Sequence, residues 1–191
     1  FALNPRKYLA GLVAAARDAG ALFFDISAVT SVSSGAVRTG GGLVTADRVI
    51  LATNGYSSED VPDWMRARYM PTQSDVLVTR PLTAKEQAAQ GWTTAQMAYD
   101  TRHLLHYFRL MPDGRFLFGM RGGLLAGPRA EARARAMVAR DFRRMFPAWR
   151  QVEVTHGWSG LVCLTRAFLP YVGPVPQMPG VLAGFAIRGN G

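Results

Sequence analysis

The spacing of apolar residues predicts that the chain begins with one helix, which is followed by a run of short strands. Tyr8, Leu9 and Leu12 belong to an apolar stripe at helical spacing, Asn4 precedes the stripe as a capping residue, and Gly20 suits the end of a helix. Short apolar segments between turn residues then predict strands at residues 21–25, 28–32, 36–38, 43–45 and 47–52. The last segment has an uninterrupted apolar core, which is typical of a strand that is covered on both faces.

Longer apolar stretches follow residue 68, and helices separate them. Two apolar runs flank Pro112-Asp113-Gly114, a sequence that favours a tight turn and therefore a hairpin. The segment at 152–165 is predicted as a strand with a Gly-Trp-Ser-Gly interruption, and 170–173 as a loop. The remaining predictions are a strand at 69–82, a helix at 83–90, hairpin strands at 103–111 and 115–120, a helix at 129–146 and a strand at 181–183.

Both ends of the chain lack features that a complete domain normally has. The first residue, Phe1, is not an initiator methionine, and no basic leader or signal-peptide core follows it. At the other end a glycine-rich segment follows the last predicted strand, where a helix that covers the sheet is normally expected. We therefore expect the chain to be truncated at both ends.

Composition indicates a globular protein, because 49% of the residues are hydrophobic and 18% are charged. No apolar run reaches the roughly 18–20 residues that a membrane span requires. The single cysteine, Cys163, excludes an internal disulfide and a cysteine-cluster metal site. A reducing cytoplasm is therefore the default expectation for its location.

The net charge of +9 arises almost entirely from arginine, since Lys7 and Lys85 are the only lysines. The densest basic stretch, residues 129–144, also contains Glu131 and Asp141 and has the pattern of a helix. Such a mixed-sign run favours a solvated helix face, so we do not predict a nucleic-acid binder. An anionic partner, an acidic lipid surface or a balancing acidic segment elsewhere remain alternative explanations.

Common catalytic and cofactor fingerprints are absent from the sequence. Neither Gly40-Gly41-Gly42 nor Gly119-Met120-Arg121-Gly122-Gly123 has the strand-to-helix context of a dinucleotide-binding turn. Ser159, in Gly157-Trp158-Ser159-Gly160, lacks the spacing of a nucleophile elbow. His103 and His106 lie three positions apart in a predicted strand, where they face opposite sides, so we predict no metal site.

Two glycine-containing segments follow predicted buried strands. Residues 52–56 come after one strand, and residues 188–191 come after the last one. The carboxyl ends of strands in open α/β sheets are where ligands bind, so both segments are candidate ligand sites. Spacing alone also allows these glycines to be simple turn formers.

Short segments in a fixed order carry a resemblance that covers essentially the whole chain. They are Asn4-Pro5-Arg6-Lys7-Tyr8-Leu9, Val49-Ile50-Leu51 with Ala52-Thr53-Asn54-Gly55-Tyr56, Val78-Thr79-Arg80-Pro81-Leu82, Tyr99-Asp100-Thr101-Arg102, Tyr107-Phe108-Arg109-Leu110, Pro112-Asp113-Gly114-Arg115, Phe118-Gly119-Met120-Arg121, Trp158-Ser159-Gly160, Leu169-Pro170-Tyr171-Val172-Gly173 and Gly189-Asn190-Gly191. The set resembles the D-amino-acid oxidase superfamily of FAD-dependent oxidoreductases. Within that superfamily it is most similar to the branch that contains gamma-glutamylputrescine oxidase and glycine oxidase.

This resemblance implies an α/β fold combined with an α+β part. Residues 1–68 and 166–191 would form part of a Rossmann-like FAD-binding domain, and residues 69–165 a substrate domain built on a largely antiparallel sheet. The residues implied to bind FAD are Val29, Thr53, Asn54, Gly55, Arg188, Gly189, Asn190 and Gly191. The residues expected to line the substrate cavity are His106, Tyr107, Arg109, Arg121 and Trp158, with no catalytic acid or base assigned.

Two departures from the family pattern qualify this hypothesis. The N-terminal glycine fingerprint of the family is missing, so the pyrophosphate site is not in this chain. Glycine oxidase would have a carboxylate-binding arginine where this chain has Val162, which favours an amine or N-substituted amine over a free α-amino acid. Arg109, Arg121 and Arg166 are then the possible anion anchors, or else structural ion-pair partners.

The implied function is oxidation of a small-molecule amine by hydride transfer to the flavin, with oxygen as the expected acceptor. Two alternatives stay open from the sequence. In the first alternative, the chain is a non-catalytic binding module derived from such an enzyme. In the second, it is a flavin dehydrogenase that uses another acceptor. The sequence leaves substrate identity and oligomeric state undetermined.

Overall fold

A computed structural model describes residues 2–124 and 127–186 of the chain. The α-helices in these ranges are α1 (Pro5–Asp18), α2 (Ala84–Gln90) and α3 (Pro128–Met145), and short 3-10 helices lie at Asn54–Tyr56, Asp63–Met65 and Pro147–Trp149. The strands are β1 (Val29–Ser33), β2 (Ala36–Thr39), β3 (Gly42–Thr45), β4 (Val49–Leu51), β5 (Met70–Pro81), β6 (Ala98–Tyr99), β7 (His106–Leu110), β8 (Arg115–Arg121), β9 (Val154–Leu164), β10 (Tyr171–Pro174) and β11 (Val181–Phe185). None of the helices in the described ranges is long and apolar enough to cross a membrane.

These strands form three sheets. The largest has the order β6-β7-β8-β5-β9 and is antiparallel throughout. A small antiparallel meander contains β1, β2 and β3, and the third sheet has the order β10-β11-β4 with β4 and β11 parallel. The predicted combination of an α/β part with a largely antiparallel sheet is confirmed.

Helix α3 covers one face of the five-stranded sheet and builds the larger core there. Phe116 and Phe118 of β8 are fully buried beneath Val138 and Phe142 of the helix. The aromatic side chains that extend this cluster past the end of α3 are Phe146 and Trp149. The indole Nε1 of Trp149 also donates to the backbone oxygen of Glu86 in α2 at 2.8 Å, which fixes the short helix to the same core.

A second apolar cluster forms around the parallel pair of β4 and β11. Val49, Val181 and Phe185 contribute side chains from these strands. Tyr69 and Cys163, which lie next to β5 and in β9, pack into the same cluster. Both residues fall within the segment 69–165 predicted as the substrate domain, and that division of the chain stays a prediction.

Local capping follows the sequence closely. The side chain of Asn4 accepts a hydrogen bond from the amide of Lys7 at 3.1 Å, as expected for the cap of α1. Thr83 and Glu86 form a reciprocal capping box at the start of α2, and Gly91 ends that helix in the left-handed conformation. The predicted hairpin at 103–120 is also confirmed, as β7 and β8.

Several predicted strands are wrong, and the reason is the presence or absence of a pairing partner. Residues 21–25 are not a strand, and Phe24 is 75% exposed there. Ile50 in β4 is 69% exposed, since no described element covers that side of the strand. Residues 170–173 were predicted as a loop, yet β10 pairs with β11 there. Strand β9 runs without a break through Gly-Trp-Ser-Gly, because β5 pairs with it along that length.

Asp75 is an unusual residue on the helix-covered face of β5. Its side chain is completely buried, and neither carboxylate oxygen has a hydrogen-bond partner within residues 2–124 and 127–186. Burial raises the pKa of Asp75 above its ordinary value, and the partly compensating charge of Arg135 does not reverse this. The ionised carboxylate is therefore destabilised in the folded state.

We expect Asp75→Asn to raise the free energy of unfolding at neutral pH by about 1 kcal/mol, because the amide has no charge to desolvate. A raised folded-state pKa means that the penalty on wild-type Asp75 grows as pH rises from the unfolded-state pKa to the folded-state pKa. The gain should therefore shrink as pH falls towards about 3, below the unfolded-state pKa of about 3.9, where the carboxyl group is protonated in both states. Urea unfolding at a series of pH values measures this, with the exposed Asp63→Asn as control. A gain that does not vary with pH would contradict it.

Candidate active site

The face of the five-stranded sheet opposite α3 is not covered by any described helix. Side chains alternate between the two faces of a strand, so the pairing register decides which residues point to this uncovered face. One cross-strand row on it contains, from β6 to β9, Tyr99, Tyr107, Gly119, Val76 and Trp158. Aromatic side chains thus stand at both ends of the row, with two small residues between them.

Tyr107 lies across the sheet in this row, and Gly119 makes that position possible. A Cβ atom at Gly119 would lie 2.3 Å from ring atoms of Tyr107, so no side chain fits beneath the ring. The hydroxyl of Tyr107 reaches the Oγ atom of Ser74 on β5 at 2.8 Å. Burial raises the pKa of Tyr107, and the opposing effects of Ser74 and Arg121 do not cancel it. The phenol therefore stays neutral and able to donate a hydrogen bond.

Three arginines lie on the uncovered face together with these aromatic residues. Arg109 pairs across the sheet with Leu117, and Arg121 pairs with Ser74. Arg115 lies on the same face near the hairpin turn, where it forms an ion pair with Asp113 at 3.3 Å. None of the strand positions that face this side carries an acidic residue.

Arg109 occupies a cavity of about 600 Å³ at the edge of this face. Its Nε atom is buried and has no hydrogen-bond partner within the described ranges. The other residues that line the cavity are Met97, Ala98, Tyr99, Tyr107, Phe108 and Leu117. The guanidinium group is therefore held in largely apolar and aromatic surroundings.

His106 is separated from the other four predicted cavity residues. Alternation in β7 turns its side chain to the helix-covered face, where it is only 2% exposed. Its Nδ1 atom lies 2.7 Å from Oδ2 of Asp100, and its Nε2 atom lies 3.2 Å from Oδ2 of Asp141. Through these two contacts the ring links β7 to α3. Tyr107, Arg109, Arg121 and Trp158 do share the uncovered face.

The two carboxylates that contact His106, those of Asp100 and Asp141, both have lowered pKa values. Burial alone would raise the pKa values of Asp100 and Asp141. The hydrogen bonds from His106, together with those from neighbouring arginines, outweigh burial and hold both pKa values below the ordinary range. Across the described part of the chain, no group of three His, Cys, Asp or Glu side chains has the arrangement of a metal site.

A second cleft, of about 480 Å³, lies between the meander and β4. Val29 and Thr53, both predicted to bind FAD, are among its lining residues. Its walls are mainly apolar, and hydroxyl groups are present at Thr53 and Ser58. The cleft thus brings the end of β4 and the start of β1 together around one space.

Asn54 and Gly55, also predicted to bind FAD, make contacts that connect this cleft to other strands. The side-chain oxygen of Asn54 accepts from the amide of Ala186, just after β11, at 3.0 Å. A Cβ atom at Gly55 would lie 3.1 Å from Cβ of Leu161 in β9, so glycine allows the turn to approach that strand. The remaining predicted FAD residues, Arg188, Gly189, Asn190 and Gly191, lie outside the described residues.

Sequence reasoning missed Ser74, Tyr99, Leu117 and Gly119 as members of the site. A glycine inside a strand pattern marks a close approach, so Gly119 between Phe118 and Met120 carried a usable signal. Ser74 carried no such signal, because its contact with Tyr107 depends on how β5 and β7 are both placed beside β8.

Comparison with known proteins gives a consistent result. The family profile described as FAD dependent oxidoreductase (DAO) matches residues 1–191. "Probable oxidoreductase OrdL" of Rhizobium meliloti (strain 1021) is 32% identical over 194 residues, covering 99% of this chain and 43% of that protein. "Gamma-glutamylputrescine oxidoreductase" of Escherichia coli (strain K12) is 29% identical over 191 residues, covering 98% of this chain and 44% of that protein.

Solved structures show the same fold. The crystal structure of glycine oxidase from Geobacillus kaustophilus matches with a TM-score of 0.73 and 21% identity, covering 95% of this chain and 48% of that one. The chain thus spans less than half of the length of the curated relatives it matches, at 43% and 44%.

We expect Gly119→Ala to lower the free energy of unfolding by roughly 1–3 kcal/mol, because the new methyl group displaces the Tyr107 ring from its contact with Ser74. Chemical denaturation measures this change. Gly184→Ala in β11 is the matched control, since no atom lies within 4 Å of a Cβ placed there. In a Tyr107→Ala background the cost of Gly119→Ala should largely disappear, and an unchanged cost there would refute the proposed clash.

Proposed function

The chain belongs to the DAO family of FAD-dependent oxidoreductases, and we propose on this premise that the protein oxidises an amine or N-substituted amino compound with FAD as cofactor. The observation that carries the proposal is the uncovered face of the five-stranded sheet. It presents Tyr107 and Trp158 on either side of two small residues, with arginines nearby and no acid. A relative named for gamma-glutamylputrescine supports an amino compound as substrate.

The cleft between the meander and β4 fits one end of FAD in size and lining. A flat heteroaromatic ring suits a space of about 480 Å³ with apolar walls and a few hydroxyl groups. We assign Val29 and Thr53 to this contact, and Asn54 and Gly55 to holding the turn that shapes it. Residues 1–68 and 166–191 are proposed as part of the FAD-binding domain, and residues 69–165 as the substrate domain. Arg188, Gly189, Asn190 and Gly191 are proposed to lie near the flavin ring.

FAD, when bound, supplies an acceptor for a hydride from the carbon beside the substrate amine. The residues of this chain position the substrate for that reaction. The neutral hydroxyl of Tyr107 offers a hydrogen bond at the centre of the face, and Trp158 provides an apolar surface at β9. Arg109 and Arg121 give the face a positive charge that favours an anionic group on the substrate. His106 has no part in this contact, since it faces α3.

Oxygen is the proposed final acceptor of the electrons, with a dehydrogenase that uses another acceptor as the alternative. Anaerobic addition of an amine panel to the FAD-loaded protein, expressed from its whole reading frame, should bleach the visible flavin absorbance. Recovery of the absorbance on admitting oxygen, with formation of peroxide, indicates an oxidase. Recovery only with an added dye indicates a dehydrogenase. A protein that retains no FAD, or whose flavin no amine reduces, would refute the proposal.

The proposed FAD cleft has its own test. We expect Val29→Glu to lower FAD affinity at least roughly tenfold, because it places a carboxylate in an apolar cleft. Val44→Glu is the matched control, since Val44 is a strand residue of the same meander, is 56% exposed and does not line the cleft. Fluorescence titration of FAD into the apoprotein measures both affinities. Equal affinities in the two variants would remove Val29 from the cofactor site.

A further inference from the structure

The two acidic residues of α3 lie away from the solvent-facing side of the helix. Asp141 is buried against the sheet, where its Oδ2 atom contacts the ring of His106. Glu131 is half-buried and forms an ion pair with Arg135 at 3.3 Å. The positive and negative charges that alternate along the sequence of α3 are therefore separated on its surface.

Four exposed arginines form a row along the outer side of α3. Successive members are four, seven and four residues apart, which keeps them within roughly 60° of one another around the helix and spreads them over about 22 Å of its length. Neither acidic residue of the helix falls within this sector. We call the row the α3 stripe, and its members are Arg129, Arg133, Arg140 and Arg144.

The charges of the α3 stripe are largely uncompensated. Within residues 2–124 and 127–186, only Arg140 of the stripe forms an ion pair, with Asp141 at 3.2 Å. Arg129 lies in the first turn of α3, where the helix dipole disfavours a positive charge. It also stands four positions before Arg133, a spacing at which like charges repel. The N-terminal half of the stripe therefore destabilises the helix, and an anionic partner would remove this cost.

The neighbouring side chains indicate which kind of anion fits. In α3, all of whose residues are described, no large apolar or aromatic side chain is exposed. The helix thus offers nothing that stacks on nucleic-acid bases or inserts into a bilayer. Ala136 is exposed beside the row, and its small side chain allows the backbone of a partner to come close. A second copy of this chain is disfavoured, because both copies would carry a net charge of +9.

A straight row that is one side chain wide matches the surface of another helix. Acidic residues three or four positions apart form such a row on one helix face. A guanidinium group also takes a carboxylate in a two-point hydrogen bond, which gives each contact a defined geometry. A helix laid along α3 would thus place its carboxylates against the arginines without a change in the fold of this chain.

We infer that the α3 stripe binds an acidic helix of a partner protein, with Asp or Glu side chains recurring along one face. α3 covers the side of the five-stranded sheet opposite Tyr107 and Arg109, so the bound helix leaves the proposed substrate face free. The inference therefore goes beyond the proposed amine oxidation and does not depend on it. Because the ion pairs are exposed, the binding weakens as the salt concentration rises.

Two fluorescently labelled peptides of about 20 residues and identical composition test this inference, with the protein expressed from its whole reading frame. In the first peptide four glutamates have the spacing of the α3 stripe, and in the second they are distributed around the helix. Anisotropy titration in about 0.02 M salt should show roughly tenfold tighter binding of the first, since each exposed ion pair contributes about two- to fivefold in affinity. The preference should disappear in about 0.5 M salt.

Paired substitutions show whether the α3 stripe carries the preference. Arg133→Gln with Arg144→Gln should bind both peptides equally. Arg38→Gln with Arg48→Gln is the matched control, because it removes the same charge from exposed positions outside α3 and should retain the preference. Arg133→Lys with Arg144→Lys keeps the charge and should retain a weaker preference, since an ammonium group makes no two-point contact.

Several results would overturn the inference. Equal affinity of the wild-type protein for the two peptides is one, and equal loss of the preference in the two double glutamine variants is another. Phosphatidylserine vesicles and a DNA duplex serve as competing anions in the same titration. If either binds more tightly than the first peptide and requires Arg133 and Arg144, the stripe belongs to a lipid or nucleic-acid surface and not to an acidic helix.

Discussion

The pairing of β5 with both β8 and β9 is the interaction on which the rest of the structure depends. β5 is the longest strand of the described residues, and its neighbours bond to it along nearly its whole length. Because side chains alternate, a shift of one residue in this register would exchange the two faces of the sheet. Val76, Leu77 and Val78 are all buried and do not by themselves prefer one face. The strict alternation in β8 of Phe116 and Phe118 with Leu117 and Gly119 resolves the ambiguity.

The two faces created by this register carry different kinds of residues. The helix-covered face holds the aromatic core, and it also contains polar groups that fix the position of α3, such as the contact of His106 with Asp141. The opposite face remains uncovered by α3 and presents the cross-strand row of aromatic and small residues, with arginines beside it. Gly119 weakens the strand as a packing element, yet it allows the ring of Tyr107 to lie flat against the sheet. The aromatic core thus lies on one side of the sheet, and the proposed substrate site lies on the other.

The turn after β4 joins the proposed cofactor cleft to the proposed substrate face. Thr53 lines the cleft, while the next residues reach out to neighbouring strands. The amide of Leu161 in β9 donates to the hydroxyl of Tyr56 at 3.2 Å, and Asn54 accepts from Ala186 after β11. A hydride transfer requires cofactor and substrate to be held at a fixed separation. These short contacts provide such a connection between the two proposed parts of the chain.

The sequence by itself determined the helices, the hairpin, the fold class and the family, because capping residues, turn residues and short motifs act locally or as an ordered set. It also selected Tyr107, Arg109, Arg121 and Trp158, which the structure places on one face. Alternation places His106 and Tyr107 on opposite faces of their strand, but the sequence did not determine which face α3 would cover, since that depends on how the strands pair and where the helix packs. It could not identify the contact of Ser74 with Tyr107, or that Nε of Arg109 has no hydrogen-bond partner among the described residues, because both depend on residues distant in the chain. Only the tertiary structure decided these points, through strand register.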